Sequence, residues 1–466
     1  MENAKGVGPN RTEGLDQFRK VHFVGIGGVG MSGIAQILAQ KGWEVSGSDL
    51  VCSDAVSSLR SIGVRVSIGH SPDHLGDAEI VAFSSAVGRD NPELQEARRR
   101  DIRVVHRADL LARIMAGGEG IAISGTHGKT TTTSMIGVLL VEAGLDPTIL
   151  VGARAVDLGG NARLGKGPWV VAEADESDGS FLKLRPRHAV ITNVDRDHLD
   201  FYGGLEEIGD AFVAFMNLLP ADGRAVVCTD DSNLRRLLKN VHRPVITYGV
   251  TPAADVWAEA VEWTSGGSAF GCVHEGRRLG RLRLNVAGRH NVLNSLAAVA
   301  VGLELQVPFD VIRRALGTFS GAERRLEFKG MREGVRVMDD YGHHPVEIRT
   351  TLDACRRMGR RVVVVFQPHR YTRTLHLRSE LAECFQDADL LYLMDVYPAG
   401  EAPVAGGLGE DLYRAVERHR QVCYQPQPGA MLRALREDVM PGDLLLTLGA
   451  GNVWKIGEDF LKGRAV

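Results

Sequence analysis

The sequence lacks the features that would direct a protein to a membrane, to nucleic acid or to an oxidising compartment. Its apolar runs are short, as in VVVVF at 362–366, far below the roughly 18 residues that cross a bilayer. The 55 basic and 58 acidic residues give a net charge of −3, which excludes a strongly basic nucleic-acid binder as the default. The six cysteines form no CxxC pair, so we expect six reduced core thiols in a cytosolic protein with neither a membrane nor a nucleic-acid partner.

Aromatic residues are also scarce, at 6%, whereas glycine is abundant, at 55 residues. Glycine in a chain without repeats is typical of tight turns at which the backbone approaches a ligand. The opening MENAKGVGPNRTEG has no apolar segment of the kind found in signal peptides. We expect a flexible arm over residues 1–19.

Short apolar strands alternate with helical patterns over the rest of the chain, which predicts mostly parallel sheets in an α/β fold. AGGEG at 116–120 is predicted to be a linker, and the glycine-bearing stretch 329–334 to be either a hinge or a hairpin turn. The alternating residues between 255 and 286 predict antiparallel strands. Three consecutive units are predicted, at 20–116, 117–327 and 328–466.

The first motif is Gly25-x-Gly27-x-x-Gly30, which directly follows a predicted strand and opens a helix. Glycine there permits a positive φ and a close approach of the backbone to a diphosphate at the helix N-terminus. Asp49 ends the next strand, where a ribose hydroxyl would be met. The motif predicts a bound nucleotide diphosphate without saying which one, so a nicotinamide-dependent oxidoreductase is a legitimate first hypothesis.

The second motif, GTHGKTTT at 125–132, resembles a phosphate-binding P-loop. Ile123 stands where the common spacing has glycine. Lys129 can reach the β- and γ-phosphates of ATP, and the hydroxyl of Thr130 can ligate Mg²⁺, which prefers oxygen ligands. We therefore expect ATP to be bound and cleaved.

Two acidic clusters each follow an apolar strand. EADESD begins at Glu173, and NVDRDH ends at His198. Because parallel strands place their carboxyl ends at one edge of a sheet, both clusters are predicted to lie beside the P-loop. Their carboxylates would complete the coordination of Mg²⁺ around ATP.

A fourth group of polar residues lies in the third unit. DDYGHHP at 339–345 and QPHRYTR at 367–373 both follow apolar strands, at the sheet edge where α/β proteins bind ligands. Paired arginines suit a carboxylate, which they hold by bidentate hydrogen bonds. This edge is predicted to bind a small carboxylate-bearing molecule.

Taken in order, the motifs resemble those of the Mur ligases, the ATP-dependent amide-bond ligases of peptidoglycan synthesis. The series comprises GIGGVGMSGIA, SGTHGKTTTT, EADESD, NVDRDHLD, GRHNVLNSLAA, ERRLEF, DDYGHHP, FQPHRYTRT, DVYPAGE and GAGN. The resemblance implies three domains: an N-terminal Rossmann-like domain for a UDP-sugar, a central P-loop ATPase domain with a mostly parallel sheet, and a C-terminal Rossmann-like domain for the amino acid. We also expect a monomer or a weak homodimer.

The resemblance assigns a role to individual residues. For the UDP-sugar these are Gly27, Gly28, Gly30, Asp49, His70, Ser84 and His127, with Asn161 and Arg163 near its lactyl group. For ATP they are Gly125, Thr126, Gly128, Lys129, Thr130, Thr131, Asn291, Asn294, Arg325 and Asp340. For Mg²⁺ they are Thr130, Glu173 and His198. For the amino acid they are Tyr341, His343, Arg370 and Arg373. The residues implied to be catalytic are Lys129, Glu173, His198 and His343.

The implied reaction joins L-alanine to the lactyl carboxylate of UDP-N-acetylmuramate through an acyl phosphate, releasing ADP and phosphate. A recycling ligase that attaches a murein tripeptide to the same sugar is the nearest alternative. A nicotinamide-dependent oxidoreductase explains the first glycine turn but leaves Lys129, Glu173 and Arg370 unused. A non-catalytic ATP switch explains the P-loop but not an amino-acid pocket in a separate unit.

Overall fold

The computed structural model describes residue 15 and residues 17–198, 201–264 and 266–463. Most of the predicted arm at 1–19 therefore lies outside the described residues. The chain forms two compact units. The first comprises residues 1–259, 272–280 and 293–316, and the second comprises residues 260–271, 281–292 and 317–466. Among the described residues, no helix has the length and apolarity needed to cross a bilayer.

The first sheet has five parallel strands in the order β3-β2-β1-β4-β5. This is the strand order of a Rossmann-like fold, in which a ligand binds where the order reverses, here between β1 and β4. The strands are β1 Lys20–Val24, β2 Glu44–Asp49, β3 Arg65–Ile68, β4 Ile80–Phe83 and β5 Arg103–His106. The helices are α1 Val29–Gln40, α2 Asp54–Ser61, α3 Pro92–Arg99 and α4 Arg107–Met115.

The second sheet has ten strands in the order β15-β14-β13-β12-β11-β10-β6-β9-β7-β8. From β13 to β7 neighbouring strands are parallel. The strands are β6 Glu119–Ser124, β7 Thr148–Ala155, β8 Gly160–Arg163, β9 Trp169–Glu173, β10 His188–Ile191, β11 Arg224–Cys228, β12 Val245–Gly249, β13 Val256–Thr264, β14 Gly267–His274 and β15 Arg277–Leu284. The helices are α5 Lys129–Glu142, α6 Leu205–Asn217, α7 Ser232–Leu237, α8 Arg289–Glu304 and α9 Phe309–Thr318.

The third sheet, in the second unit, has six strands in the order β16-β17-β21-β18-β19-β20. All neighbours are parallel except β16 and β17, which form a hairpin. The strands are β16 Glu327–Arg332, β17 Val335–Asp340, β18 Val362–Phe366, β19 Leu390–Leu393, β20 Cys423–Tyr424 and β21 Leu444–Leu448. The helices are α10 Pro345–Arg356, α11 Tyr371–His376, α12 Arg378–Ala382, α13 Gly409–Glu417, α14 Pro428–Asp438 and α15 Trp454–Lys462.

Strand β18 illustrates why these strands are apolar without interruption. Val362, Val364 and Phe366 pack into the core on one face of the sheet, and Val363 and Val365 pack into the core on the other. Successive side chains of a strand point to opposite faces, so a strand covered on both sides is apolar throughout. The α/β fold with mostly parallel sheets is confirmed.

Four local predictions need correction or can now be decided. Glu119 and Gly120 belong to β6 and not to a linker. The stretch 329–334 is a hairpin, since Arg332 of β16 pairs with Val335 of β17. Not all six cysteines are in the core, because Cys52 is exposed and Cys423 is half-buried. Strands β13, β14 and β15 are adjacent in the sheet and joined by a few residues, which requires neighbours to run in opposite directions, as predicted.

Candidate active site

The glycine turn of the first unit leaves the N-terminus of α1 open. Gly25 has a φ of 76°, and its N–H donates to the carbonyl of Ser48 at 2.9 Å. The N–H of Gly27 donates to Asp49 Oδ2 at 2.8 Å, and a Cβ at Gly27 would lie 2.9 Å from that oxygen. Gly28 precedes α1 without any side-chain cap. An uncapped helix N-terminus offers N–H groups to an anion such as a diphosphate.

Three other predicted UDP-sugar residues can be located around this turn. Ser84 directly follows β4, on the opposite side of the strand-order reversal from the turn. His70 lies beyond β3, with Nδ1 3.0 Å from Ser48 Oγ. The amide of Asn161 donates to the carbonyl of Val29, at the start of α1, at 2.8 Å. These positions agree with a pocket at the carboxyl edge of the first sheet.

Arg163 has other partners. Its guanidinium donates to Asp146 Oδ1 at 2.6 Å and to the carbonyl of Pro147 at 3.1 Å. The contacts give no support for its expected position near a lactyl group, which stays a prediction.

The P-loop lies between β6 and α5 and is fixed by residues that follow β10. Gly125 has a φ of 131°, and a Cβ there would lie 2.1 Å from Thr192 Oγ1. Asn193 holds His127 from both ends, since its Oδ1 accepts the His127 N–H at 2.8 Å and its Nδ2 donates to the His127 carbonyl at 2.9 Å. The hydroxyl of Thr126 accepts the N–H of Asp195 at 2.9 Å. The loop is therefore shaped by contacts from the neighbouring strand.

Lys129 begins α5 and is surrounded by acceptors. Its Nζ donates to Glu176 Oε1 at 2.8 Å and to the carbonyl of Gly125 at 2.6 Å. Burial would lower the pKa of Lys129, but the carboxylates of Glu176, Asp175 and Glu173 outweigh it and raise the pKa above its usual value. The lysine is therefore charged at neutral pH and suited to bind phosphate.

The predicted metal ligands lie at one edge of the second sheet, because β10, β6 and β9 are adjacent and parallel. Glu173 ends β9, and its Oε1 accepts the N–H of Gly152 at 2.5 Å. Thr130 is buried in the first turn of α5, as is Thr131. His198, at a φ of 54°, has Nε2 3.7 Å from Glu176 Oε1. The sheet brings these strand ends together, as predicted, while the individual roles stay predictions.

Arg107 is a residue of this region that the sequence analysis missed. Its Nη2 donates to Asp175 Oδ2 at 2.5 Å, and a Cβ at Gly30 would lie 3.1 Å from its Nη1. Burial raises the pKa of Asp175, but Lys129 and Arg107 lower it more, to about 2. Arg107 thus lies beside the glycine turn and pairs with an acidic residue of the P-loop region. A signal existed, because Arg107 directly follows β5, where polar residues meet ligands.

The residues expected near adenine share a helix. Asn291 and Asn294 are three apart on α8, so they lie on one face. The amide of Asn294 faces the P-loop, since a Cβ at Gly128 would lie 2.8 Å from its Oδ1. The amide of Asn291 donates to the carbonyl of Ala287 at 2.7 Å.

In the second unit, loops after β17, β18 and β21 meet at one edge because these strands are neighbours. Arg324 contacts both β17 and the loop after β21: its Nε lies 3.0 Å from Asp339 Oδ2, and Nη2 donates to the carbonyl of Gly449 at 2.5 Å. The guanidinium carbons of Arg324 and Arg325 lie 5.1 and 5.3 Å from the ring centroid of Tyr341. Cation–π contacts of this kind hold Tyr341 in place.

Asp340 is buried and fully engaged. Its Oδ1 accepts from the N–H of Gly342 at 2.8 Å and from Thr351 Oγ1 at 3.1 Å. Its Oδ2 accepts from the N–H of Leu326 at 2.7 Å. Burial raises the pKa of Asp340 to about 6, although Arg325 opposes the shift. These contacts hold the segment after β17 in place. The expected contact of Asp340 with the ATP ribose stays a prediction.

A row of rings extends from Tyr341 along the same edge. His343 lies edge-on to Tyr341 at 5.4 Å and 5.8 Å from His369, and His369 stacks on Tyr397 at 5.6 Å. Burial, the neighbouring His343 and the nearby arginines lower the pKa of His369 to about 3. The ring is therefore neutral at pH 7, and its Nδ1 lies 3.4 Å from Arg373 Nη1.

Arg370 has a strained backbone, with a φ of 65°, and its N–H donates to the carbonyl of Tyr397 at 2.9 Å. Non-glycine residues at positive φ cluster at ligand sites. Tyr341, His343, Arg370 and Arg373 are thus brought to one edge, as predicted. His369, Tyr397 and Arg324 belong to the same cluster; the sequence analysis did not single them out, although all three lie in quoted motifs.

Family models match the chain at three places in order. They are the Mur ligase family catalytic domain at residues 20–118, the Mur ligase middle domain at 123–302 and the Mur ligase glutamate ligase domain at 324–451.

Curated relatives match over almost the whole chain. The UDP-N-acetylmuramate–L-alanine ligase of Geobacter sulfurreducens is 50% identical over 451 residues, covering 96% of this chain and 97% of that protein. The protein of the same name from Solidesulfovibrio magneticus is 49% identical over 451 residues, covering 96% and 98%.

Solved structures have the same fold. The crystal structure of the UDP-N-acetylmuramate–alanine ligase of Thermotoga maritima superposes with a TM-score of 0.82 at 29% identity, covering 95% of this chain and 98% of that chain. A murein peptide ligase of Psychrobacter arcticus has a TM-score of 0.72 at 24% identity, covering 96% and 99%, which is a likeness of fold. With three family matches in chain order and relatives half-identical along nearly its full length, this chain belongs to the Mur ligase family of ATP-dependent ligases.

Proposed function

We propose that this protein joins L-alanine to the lactyl carboxylate of UDP-N-acetylmuramate, with cleavage of ATP to ADP and phosphate, in the synthesis of peptidoglycan precursors. The observation that carries the proposal is a charged P-loop lysine among three carboxylates at the edge of the second sheet, in a chain 50% identical to a UDP-N-acetylmuramate–L-alanine ligase. The segments 20–116, 117–327 and 328–466 are proposed to bind the UDP-sugar, ATP and the amino acid, respectively.

The first proposed step activates the sugar carboxylate, which is a poor electrophile in water. A lactyl oxygen attacks the γ-phosphorus of ATP, a new O–P bond forms, the bond to the β-phosphate oxygen breaks, and ADP leaves. Lys129, charged and close to the P-loop carbonyls, would neutralise the phosphates that repel the incoming carboxylate. The product is an acyl phosphate.

The second proposed step uses the amine of L-alanine as its free base. The nitrogen attacks the acyl carbon, phosphate leaves with its bonding electrons, and the nitrogen loses a proton. Arg370 and Arg373 would hold the alanine carboxylate by bidentate hydrogen bonds. His343, whose Nδ1 lies 3.0 Å from the carbonyl of Tyr341, is the proposed residue for orienting the amine or accepting its proton.

Thr130 and Glu173 offer the oxygen ligands that Mg²⁺, a hard cation, prefers, and the further carboxylates of Asp175 and Glu176 supply the negative charge that such an ion requires. His198, the third residue proposed to hold the ion, offers a nitrogen. When bound, Mg²⁺ would offset the charge of the ATP phosphates. Since ATP and a nucleotide-activated sugar are consumed, the proposed place of action is the cytoplasm. A monomer or weak homodimer stays the prediction for the oligomeric state.

A coupled assay of ADP release tests the function. The protein is incubated with MgCl₂, ATP and UDP-N-acetylmuramate, and L-alanine, glycine, L-serine or murein tripeptide is added in separate reactions. We expect ADP release to require the sugar and to be fastest with L-alanine. Release with tripeptide alone would identify a recycling ligase, and release without any amino acid would identify an ATP switch; either result overturns the proposal.

A further inference from the structure

In the first unit, the buried carboxylate of Glu93 lies among three histidines. One of the three is His70, which is expected to contact the UDP-sugar. We call Glu93, His22, His70, His74 and Ser48 the Glu93 cluster. Glu93 and Ser48 are completely buried and His22 is 1% exposed. Glu93 lies in the first turn of α3, whose N-cap Asn91 accepts its N–H at 2.9 Å. His22 comes from β1, and His70 and His74 come from the stretch that follows β3, so only the folded unit brings all three to the carboxylate on α3.

Every side of the Glu93 carboxylate has a polar neighbour. Oε2 accepts from Ser48 Oγ at 2.5 Å and lies 3.4 Å from His70 Nδ1 and 3.6 Å from His22 Nε2. Oε1 accepts from the N–H of Ser71 at 3.2 Å and lies 2.9 Å from His74 Nδ1. Because Ser71 follows His70 in the chain, Glu93 holds both the ring of His70 and the backbone beside it.

Ser48 connects this carboxylate to the glycine turn. Its hydroxyl lies 3.0 Å from His70 Nδ1 and donates to Glu93. Its carbonyl accepts the N–H groups of Gly25 and Ile26, each at 2.9 Å. One residue of β2 therefore contacts Glu93, His70 and the turn that opens α1.

Stability alone does not account for such a cluster. Burial raises the pKa of Glu93, but its contacts with His22, Ser48 and His74 lower it to about 2, so the group is a buried anion at neutral pH. A buried charged network is often no more stable than apolar residues of the same volume. A fully connected polar network does, however, hold its members in one geometry. Two members adjoin the candidate UDP-sugar pocket, since His70 is expected to contact the sugar nucleotide and the Ser48 carbonyl accepts from the glycine turn.

We propose that Glu93 is a positioning residue of the UDP-sugar site, holding His70, and with it Ser48 and the glycine turn, in the orientation that receives the UDP moiety. The inference rests on the proposed function, because it takes the ligand of this pocket to be a uridine diphosphate. Glu93 itself is behind the pocket and acts through His70 without touching the ligand.

The test compares Glu93→Gln with Glu96→Gln, the same substitution on the same helix. Glu96 pairs with Arg99 and Arg100 and lies outside the cluster. Binding of UDP and of UDP-N-acetylmuramate to the full chain is measured by calorimetry, with thermal melting as the check of folding. We expect Glu93→Gln to weaken UDP binding about tenfold, which corresponds to the loss of roughly one charged hydrogen bond. The KM for the sugar should rise, while kcat and the KM for ATP should stay unchanged. Glu96→Gln should match the wild type.

A double-mutant cycle separates positioning from a general structural effect. If Glu93 acts through His70, the double variant Glu93→Gln with His70→Ala should lose much less UDP affinity than the product of the two single losses. Full multiplicativity, unchanged UDP affinity in folded Glu93→Gln, or an equal rise in the KM for ATP would each overturn the proposal.

If Glu93→Gln does not fold, a second variant tests the proposal. Ser48→Ala removes the one hydroxyl shared by Glu93 and His70, and we expect a severalfold weaker UDP affinity that is not multiplicative with His70→Ala. An unchanged affinity would overturn the inference. Failure of the wild type to bind UDP-N-acetylmuramate counts against the proposed function instead, whereas wild-type binding that Glu93→Gln and Ser48→Ala leave intact overturns only the positioning role.

Discussion

Two buried carboxylates, one in each unit, accept nearly the same hydrogen bonds but have opposite pKa shifts. Glu93 accepts from a hydroxyl, a backbone N–H and an imidazole, and its pKa is about 2. Asp340 accepts from a hydroxyl and two backbone N–H groups, and its pKa is about 6. Desolvation raises both, so the number of hydrogen bonds does not decide the sign. The difference lies in the surroundings: contacts with His22, Ser48 and His74 outweigh the burial of Glu93, whereas Arg325 does not outweigh burial and the like charge of Glu347 at Asp340.

The positively charged residues of the two candidate sites also differ in their partners. In the first unit Lys129 is paired with Glu176, and Arg107 with Asp175. In the second unit Arg324 and Arg325 stack on Tyr341, and Arg373 lies beside the neutral His369. Cations among carboxylates suit a site that takes polyphosphate with a metal ion, whereas cations beside rings suit a small carboxylate.

Replacing Lys129 with alanine should give the largest effect on the first of these sites. We expect turnover to fall by roughly 10³-fold, because the charge that neutralises the transferred phosphate is lost. Binding of UDP-N-acetylmuramate should be unchanged, since the glycine turn is a separate element. ADP release and calorimetric binding measure the two effects. Lys166→Ala, at an exposed lysine, is the matched control, and turnover retained in Lys129→Ala would contradict the P-loop assignment.

The two carboxylates should respond oppositely to acid. The pKa of Glu93 is below its ordinary value of 4.5, so its contribution to stability is present above pH 4.5 and is lost as the pH falls toward 2. The pKa of Asp340 is above its ordinary value of 3.8, so stability is lost as the pH rises from 3.8 through 6. The free energy of unfolding of the wild type should fall between pH 5 and pH 3 as protons bind to this group. In Glu93→Gln that fall should be smaller by about 2 kcal/mol.

Asp340→Asn should have the reverse signature. The wild type gains stability on acidification from pH 7 to 4 through this group, and the variant should forgo about 2–3 kcal/mol of that gain. Urea unfolding of the full chain at pH 7, 5, 4 and 3 gives both values, with the transition of each unit identified by the substitution that shifts it. Parallel pH curves for the two variants would show that the carboxylates do not differ as described.

The motifs that carry chemistry could be predicted because each is local. The turns at positions 25 and 125 require glycine because of their own backbone geometry. An apolar run such as β18 indicates a buried strand whatever its neighbours are. The sheet edge then gathers polar residues at strand ends, so Glu173 and Tyr341 were placed correctly from the chain alone.

What the sequence could not give was the pairing between distant segments. Glu93 of α3 meets His22 of β1 only in the folded unit, and the same is true of Arg107 and Asp175. The contact of Arg163 with Asp146 likewise could not be predicted from its motif. Charged partners are chosen by tertiary geometry, which periodicity and spacing do not encode.

Replacing Arg373 with lysine should give the smallest effect and sharpen the contrast for the second unit. Lysine keeps the charge but loses the planar fork that holds a carboxylate by two bonds, so we expect the KM for L-alanine to rise about tenfold, or some 1.4 kcal/mol. The KM values for ATP and the UDP-sugar should not change. Arg357→Lys, at an exposed arginine paired with Asp353 on α10, serves as the control in the same ADP-release assay. A rise in the KM for ATP as large as that for L-alanine would mean that this edge does not bind the amino acid, because a general loosening of the unit, and not a lost carboxylate contact, would then explain the result.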